Sequence, residues 1–228
     1  MSYPAAQRLI VTFTVDNERD ASLNAWYNTE HIAPRIGMTR GSGFQTCDRY
    51  FVSNGASRYL NVYDLDDGAL DSQEYADIRK AEAAMADVDY HTGHFKQAYA
   101  PQFRRLVVDR TEDIVTAPRD APAADAVILD VVRGHTFADL PVWTRATLRA
   151  VLTASPLVTS SSVWSVQGEP GFVLTTDLRL AGVFDWRPVY GGALSWLPAH
   201  TTEGISPEVI VGHVIARFAR PSVSADDA

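Results

Sequence analysis

The segment RLIVTFTVD, residues 8–16, alternates between two sets of side chains and leads into ASLNAWYNTEHIAPRI, residues 21–36. The period of two predicts a strand in the first segment, and apolar residues at three-to-four spacing predict a helix in the second. Pro34 has no backbone N–H, so the helix is expected to kink or end near that residue. A strand followed by an amphipathic helix is the start of an α+β unit.

The next segments complete that unit. Residues 42–53 and 58–66 are rich in β-prone side chains on either side of a turn and predict a β-hairpin. Residues 71–89 predict a long helix, and residues 102–109 predict a fourth strand. The resulting order, β-α-β-β-α-β, is that of the ferredoxin-like fold.

The same order restarts after a Pro- and Ala-rich stretch, which predicts a linker. Residues 126–134 predict a strand, residues 140–156 a helix, residues 158–180 a hairpin and residues 209–220 a last strand. Irregular sequence replaces the second helix. The sequence therefore indicates an internal repeat whose second copy is degenerate.

We predict an α+β protein made of two tandem ferredoxin-like β-α-β-β-α-β repeats, residues 1–115 and 126–220, joined by the linker 116–125. Each four-stranded sheet would carry helices on one face and leave the other face bare. A bare apolar face is unfavourable in water, so the two sheets are expected to pack face to face. This arrangement predicts a barrel-like domain with a central cavity.

Bulk properties exclude several classes of partner. The chain has 228 residues and a formal net charge of −8, without the basic clusters that nucleic acids or anionic membranes require. Its single cysteine, Cys47, allows no intrachain disulfide. The start of the chain lacks the pattern of a signal peptide, and no apolar run approaches the roughly 20 residues that span a bilayer. These features predict a soluble, cytoplasmic protein.

Strand parity predicts which side chains face the cavity. In the first strand the set beginning at Leu9 is uniformly apolar and suits the helix side. In the third strand the aromatic and polar set is assigned to the opposite, inner side. The side chains predicted to contact a ligand are Tyr27, Phe44, Tyr50, Tyr59, Asn61, His91, Trp164 and His213. The alternative is an inter-sheet layer of polar groups that satisfy one another without a ligand.

Two short patterns carry a family resemblance. Residues 26–34 read WY-x-x-EH-x-P, and residues 58–65 read RYL-x-x-Y-x-L, followed by Ser72 and Tyr75 in the next helix. Over about residues 7–110 the chain resembles the EthD-like branch of the dimeric α/β-barrel superfamily. The resemblance implies two ferredoxin-like units that close around a cavity, and it is compatible with a homodimer. The superfamily contains polyketide cyclases, cofactor-free oxygenases, dehydratases, isomerases and heme proteins, so it implies the fold better than the reaction.

The predicted catalytic groups are His31, His94, Tyr63 and Asp48. A histidine can move a proton in either direction near neutral pH, which makes His31 a candidate acid or base. The alternative is that His31 ties the helix end to a nearby loop. His91 and His94 have a metal-ligand spacing, but no cysteine or carboxylate cluster accompanies them, so no metal site is predicted. For His213 the alternative is a satisfied core histidine.

No G-x-S-x-G, H-E-x-x-H, P-loop or G-x-G-x-x-G motif is present. Together with the expected pocket, the resemblance implies a cofactor-independent enzyme, a lyase, cyclase or isomerase of secondary metabolism. It would act on an aromatic or polyketide-like small molecule by His/Tyr/Asp proton transfer. One alternative is a binding protein for a hydrophobic metabolite. A heme-dependent oxidoreductase is a third alternative, because any cavity histidine could ligate heme.

Overall fold

The computed structural model describes residues 5–15, 17–18, 20–38, 42–54, 57–84, 103–117, 123–180, 192–197 and 205–220. Its first half contains β1 (Gln7–Phe13), α1 (Asp20–Trp26), a π-helical turn (Tyr27–His31), α2 (Ile32–Ile36), β2 (Phe44–Val52), β3 (Tyr59–Leu65), α3 (Gln73–Ala84) and β4 (Arg104–Val115). Its second half contains β5 (Ala126–Arg133), α4 (Val142–Ala154), β6 (Val158–Val166), β7 (Gly171–Leu178) and β8 (Glu208–Ala219). Short 3-10 turns cover Ala69–Asp71, Phe137–Asp139 and Leu194–Trp196.

The eight strands form a closed antiparallel barrel in the order β1-β3-β2-β8-β5-β7-β6-β4. Each half contributes four adjacent strands in the ferredoxin-like order, and the β2–β8 and β4–β6 pairs join the halves. The structure therefore confirms the predicted fold class. It consists of two tandem ferredoxin-like repeats whose sheets pack against each other through the faces that carry no helices. The residue boundaries of the repeats and the linker stay a prediction.

The inside of the barrel is largely filled by side chains. One apolar cluster has members from all eight strands, namely Ile10, Tyr50, Leu60, Val62, Val108, Val127, Leu129, Val131, Trp164, Val166, Val173 and Ile210, with others. Trp164 is fully buried in it. The described residues around Trp164 thus fill the barrel centre, where the sequence predicted a single cavity. Two separate cavities, of about 240 and 450 Å³, are present instead.

A second core lies between the helices and the outer face of the first four strands. Leu9, Val11 and Phe13 of β1 pack there against Leu23 and Ile32 of the helices, as the parity of β1 predicted. In the second half a matching cluster packs α4 on the outer face of β6 and β7. None of the helices in the described ranges is long and apolar enough to cross a membrane.

The parity assigned to β3 is wrong. Tyr59, Asn61 and Tyr63 are on the helix side, because they stand opposite Phe13, Val11 and Leu9 in the antiparallel register. Residues that are directly opposite in such a ladder point to the same face. Leu60 and Val62 are the inward residues of this strand. The aromatic and polar set therefore belongs to a helix-side cleft.

Two other predicted cavity residues are also on the outer face. Phe44 belongs to the helix-side core, because an irregularity between Phe44 and Thr46 shifts the register of β2. His213 pairs with Phe51 across the β2–β8 seam, and its Nε2 lies 3.2 Å from Ser53 Oγ. Asp48 and Tyr50 do line a cavity inside the barrel.

Candidate functional site

A cleft between the helices and the outer face of the first four strands collects most of the motif residues. It encloses about 100 Å³ and is lined by Leu9, Val11, Trp26, Tyr27, His31, Arg35, Tyr63, Tyr75, Arg79, Glu82, Phe103 and Arg105. Five of these are Trp, Tyr or Phe. A cavity of roughly 150 Å³ holds one benzene ring, so the described walls enclose only part of the volume of one aromatic ring, and a larger ligand would extend out of the cleft.

The π-helical turn explains why the motif residues meet. The Ile32 N–H reaches back to the Tyr27 carbonyl, which widens the turn by one residue. We attribute this widening to Pro34, which offers no N–H to the Glu30 carbonyl four residues earlier. The His31 ring consequently lies 4.4 Å from the Tyr27 ring and 4.9 Å from the Trp26 ring, centroid to centroid. The helix continues past Pro34 to Ile36. The irregularity that the sequence predicted near Pro34 is therefore the π-helical turn that precedes it.

Glu82 of α3 holds Arg35 through two hydrogen bonds. The Arg35 guanidinium donates to both carboxylate oxygens, at 2.5 and 2.8 Å. It also donates to the His31 backbone carbonyl at 2.5 Å. Burial alone would raise the pKa of Glu82, but the hydrogen bond from Arg35 holds that pKa far below its usual range. The pair is therefore ionised at every working pH.

The His31 side chain is 14% exposed, and it is electrically neutral near pH 7. Its Nδ1 is buried and lies 3.2 Å from Glu82 Oε1, but it makes no regular hydrogen bond with the described residues. Burial and the nearby Arg35 charge lower the pKa of His31 from 6.5 to about 4, although Glu82 opposes the shift. A neutral imidazole in contact with a carboxylate can accept a proton.

A chain of buried polar groups extends from Tyr27 into the sheet. The Tyr27 oxygen accepts hydrogen bonds from Tyr63 Oη, at 3.1 Å, and from Asn61 Nδ2, at 3.3 Å. Arg49 is almost fully buried, stacks 4.7 Å from the Tyr27 ring and donates to Asn61 Oδ1. Burial raises the pKa of both tyrosines far above 10. Both phenols therefore remain protonated and act as hydrogen-bond donors.

The cleft carries excess positive charge. Three arginines, Arg35, Arg79 and Arg105, line it against the single carboxylate of Glu82. Because His31 is neutral, the described lining has a net formal charge of +2. A site of this sign in a partly desolvated cleft stabilises an anion better than a cation.

The predicted site residues divide among different locations. His31, Tyr27 and Tyr63 line the cleft, and Asn61 supports them from the strand below. Tyr59 lies at the edge of this network, where its hydroxyl donates to Asp20. Asp48 and Tyr50 line the 240 Å³ cavity on the other face of the sheet, and Trp164 is buried in the barrel centre. His91 and His94 lie outside the described residues.

Sequence reasoning missed Glu82 and Arg49. The sequence did indicate that Arg35 is near His31, since it follows His31 by one helical turn. Nothing comparable indicated Glu82, because only the packing of α3 against α2 brings it to the motif. Arg49 resembled an ordinary strand residue, and its burial depends on the amide oxygens of Asn24, Asn28 and Asn61.

The described residues contain no group of three or more His, Cys, Asp or Glu side chains able to hold a metal ion. A heme does not fit between the described walls of the cleft, because a porphyrin is several times larger than the space that they enclose.

Comparisons with known proteins bear on the fold. No family model and no curated protein matches the sequence. Among solved structures, a candidate monooxygenase from Fusobacterium nucleatum is similar over 96% of both chains, with 8% identity and a TM-score of 0.58. An anthrone oxidase-like protein is similar over 98% of this chain and 97% of its own, with 11% identity and a TM-score of 0.53.

This chain has the dimeric α/β-barrel fold. The likeness covers both ferredoxin-like halves, which agrees with the closed barrel described above. A heme-binding protein from Thermus thermophilus is also similar, at 12% identity over 94% of this chain and 92% of its own, but its TM-score of 0.45 supports no argument. At these identities the comparisons show the fold alone, and the EthD-like branch stays a prediction.

Proposed function

We propose that this dimeric α/β-barrel protein is an enzyme that removes a proton from an acidic aromatic, polyketide-like small molecule. The reaction would take place in the cleft between the helices and the sheet, with His31 as the base. Cyclisation, dehydration and isomerisation of such molecules all begin with loss of a proton, so this step is common to the reactions predicted from the sequence.

The observation that carries the proposal is the state of His31. It is a neutral, partly exposed imidazole in an aromatic cleft, and its buried Nδ1 lies 3.2 Å from an ionised carboxylate. When His31 takes a proton, the imidazolium is stabilised by Glu82, and the substrate becomes an anion beside it. Glu82 partly offsets the burial and the Arg35 charge, which disfavour the imidazolium, and the substrate anion that forms beside the new cation stabilises it further.

The cleft also offers groups for the anion that forms. Tyr27 accepts two hydrogen bonds, so its own hydroxyl proton is free to donate to a substrate oxygen. Arg79 and Arg105 contribute positive charge on the same side. A ketone or phenol oxygen near Tyr27 would gain negative charge as His31 removes the proton, which is the arrangement of an oxyanion site.

Anthrone is a suitable probe, because its methylene group is flanked by two rings and gives an aromatic enolate when a proton is lost. The choice is supported by the similarity to an anthrone oxidase-like protein. One ring of anthrone would enter the cleft and the rest would extend from it. An aromatic, polyketide-like natural substrate and a homodimeric state are further parts of this proposal, and both rest on the resemblance. A cytoplasmic location is also part of it and rests on composition.

The test is exchange of the anthrone methylene protons in D2O under nitrogen, followed by mass spectrometry. We expect the protein to accelerate exchange, and His31→Gln to lose 100-fold or more of the acceleration, since general base catalysis contributes roughly 10²–10⁴-fold. His135→Gln changes the same residue type at an exposed position and is the matched control. Oxygen uptake in air then shows whether the anion also reacts with dioxygen.

A different result would favour the binding-protein alternative. If anthrone or a related phenol binds but exchanges no faster than in buffer, and binding survives His31→Gln, the cleft holds a ligand without chemistry. A Soret band in the purified protein would instead support the heme alternative and overturn the assignment of His31 as a free base.

A further inference from the structure

A second cavity, of about 240 Å³, lies inside one end of the barrel, on the opposite face of the sheet from the cleft. Its walls come from both halves of the chain. The polar side chains lining it are Arg8, Thr46, Asp48, Tyr50, Asp64, Thr159, Ser160, Asp177 and Arg217. The side chains of Asp48, Asp64 and Arg217 are 26–35% exposed, so this end of the barrel opens to solvent.

Arg8 forms the inner end of this cavity. Its guanidinium carbon lies 4.3 Å from the centre of the Trp164 ring. Its Nε donates to Asp64 at 2.5 Å, and its Nη1 donates to Thr175 Oγ1 at 3.1 Å. The Trp164 indole N–H donates to the same Thr175 oxygen. Arg8 is thus fixed in position, and its charge acts on Asp64 and also on Asp177.

The remaining charges do not balance. Among the described residues, three aspartates and two arginines line the cavity, which gives this part of the lining a net formal charge of −1. Asp48 has Arg217 Nη1 at 3.6 Å, beyond hydrogen-bond distance. Asp177 accepts a hydrogen bond from the Ser160 hydroxyl, and no described Lys or Arg nitrogen lies within 4 Å of its carboxylate. Asp48 and Asp177 are near enough to affect each other electrostatically.

The composition of the walls limits what could neutralise this charge. The described residues hold no group of three carboxylate or histidine ligands close enough for a metal ion. The apolar part of the lining includes Val62, Val127 and Leu129, beside the ring of Tyr50. Hydrogen-bond acceptors on one side and aliphatic walls on the other suit a cation that also carries an alkyl chain.

We propose that this cavity is a binding site for a small organic cation, a primary alkylammonium compound, held by Asp177 and Asp48 with its chain against Val62, Val127 and Leu129. The three ammonium protons match the carboxylate and hydroxyl acceptors of the lining. The site is separate from the helix-side cleft, because the filled barrel centre and the sheet lie between them. It does not depend on the function proposed for His31.

Calorimetric titration with n-butylamine, n-butanol and butyrate at neutral pH and low salt tests this assignment. We expect butylammonium to bind at least ten times more tightly than the alcohol of the same length, and butyrate not to bind. Asp177→Asn should weaken butylammonium binding ten-fold or more. Asp67→Asn makes the same change at an exposed position and should leave binding unaltered.

Val127→Phe fills the cavity without changing its charge, and it should also abolish binding. This variant provides an independent test if Asp177→Asn does not fold. His31→Gln should bind butylammonium normally, which separates this site from the proposed catalytic one. Equal affinity for amine and alcohol would overturn the proposal. So would unchanged binding in both cavity variants, or displacement of the amine by stoichiometric Mg²⁺ or K⁺.

Discussion

Glu82 Oε1 on α3 lies 3.2 Å from His31 Nδ1 on the π-helical turn, although the two residues are 51 positions apart in the chain. The same carboxylate binds the Arg35 guanidinium through two hydrogen bonds. One acidic residue therefore neutralises a buried cation and supports the candidate base. Both the stability of the fold and the proposed proton transfer therefore depend on the Glu82 carboxylate.

Removal of the Glu82 charge should be strongly destabilising. Glu82→Gln leaves the buried Arg35 cation without an anionic partner, and breaking a buried pair in this way costs about 3–5 kcal/mol. Urea denaturation measures the loss. The double variant Arg35→Met/Glu82→Met removes both charges and should lose less stability than Glu82→Gln alone. A loss below about 1 kcal/mol in Glu82→Gln would show that the pair contributes little.

The pKa of His31 predicts a stability change between about pH 4 and pH 6.5. The folded protein holds this pKa near 4, whereas the ordinary value is 6.5, so the unfolded chain binds more protons in this interval. The free energy of unfolding should therefore rise as the pH increases from 4 to 6.5. Melting temperatures of the wild type and His31→Gln across this range test the effect. The difference between them should vary with pH in this interval and be constant above it.

Asp130 predicts the opposite dependence. It is fully buried on β5 and accepts backbone N–H groups from Ala193 and Leu194, at 3.0 and 3.5 Å. Burial raises the pKa of Asp130 from 3.8 to about 7, despite those two hydrogen bonds. Its contribution to stability is complete below pH 3.8 and is lost as the pH rises through 7.

Asp130→Asn keeps a carbonyl acceptor and cannot ionise. Its melting temperature, relative to that of the wild type, should therefore increase from pH 4 to pH 8. Asp67→Asn, at an exposed position, should show no such trend. A constant difference between Asp130→Asn and the wild type would mean that Asp130 does not titrate in this range.

Trp164 fills the centre of the barrel. Replacing this fully buried side chain with alanine should cost roughly 3–5 kcal/mol, because it removes apolar contacts and leaves a cavity. The gap would join the space beneath Arg8, and added indole should restore part of the lost melting temperature. Trp143→Ala, at a site 48% exposed, is the matched control and should change stability by less than about 1 kcal/mol. Absence of an indole effect would indicate that the barrel collapses around the gap.

Much of the architecture followed from local sequence patterns. The alternation in residues 8–16, the hairpin signals and the restart after the Pro- and Ala-rich stretch predicted both repeats, because strand and helix periods depend on neighbouring residues. The bare faces of the sheets had to pack together, since apolar surface is unfavourable in water. His31, Tyr27 and Tyr63, which the sequence assigned to a cavity inside the barrel, line one cleft on the helix side of the sheet, and their roles stay a prediction.

Only the tertiary structure decided which face of each strand holds that cleft. The register of β1 with β3 puts Tyr63 opposite Leu9 on the helix side, and an irregularity in β2 turns Phe44 outward. Register depends on hydrogen bonds between distant strands, and a shift of one residue exchanges the two faces. The contact between Glu82 and His31 was also unpredictable from local patterns. It arises from the packing of α3 against α2, and contacts between residues far apart in the chain have no local sequence period.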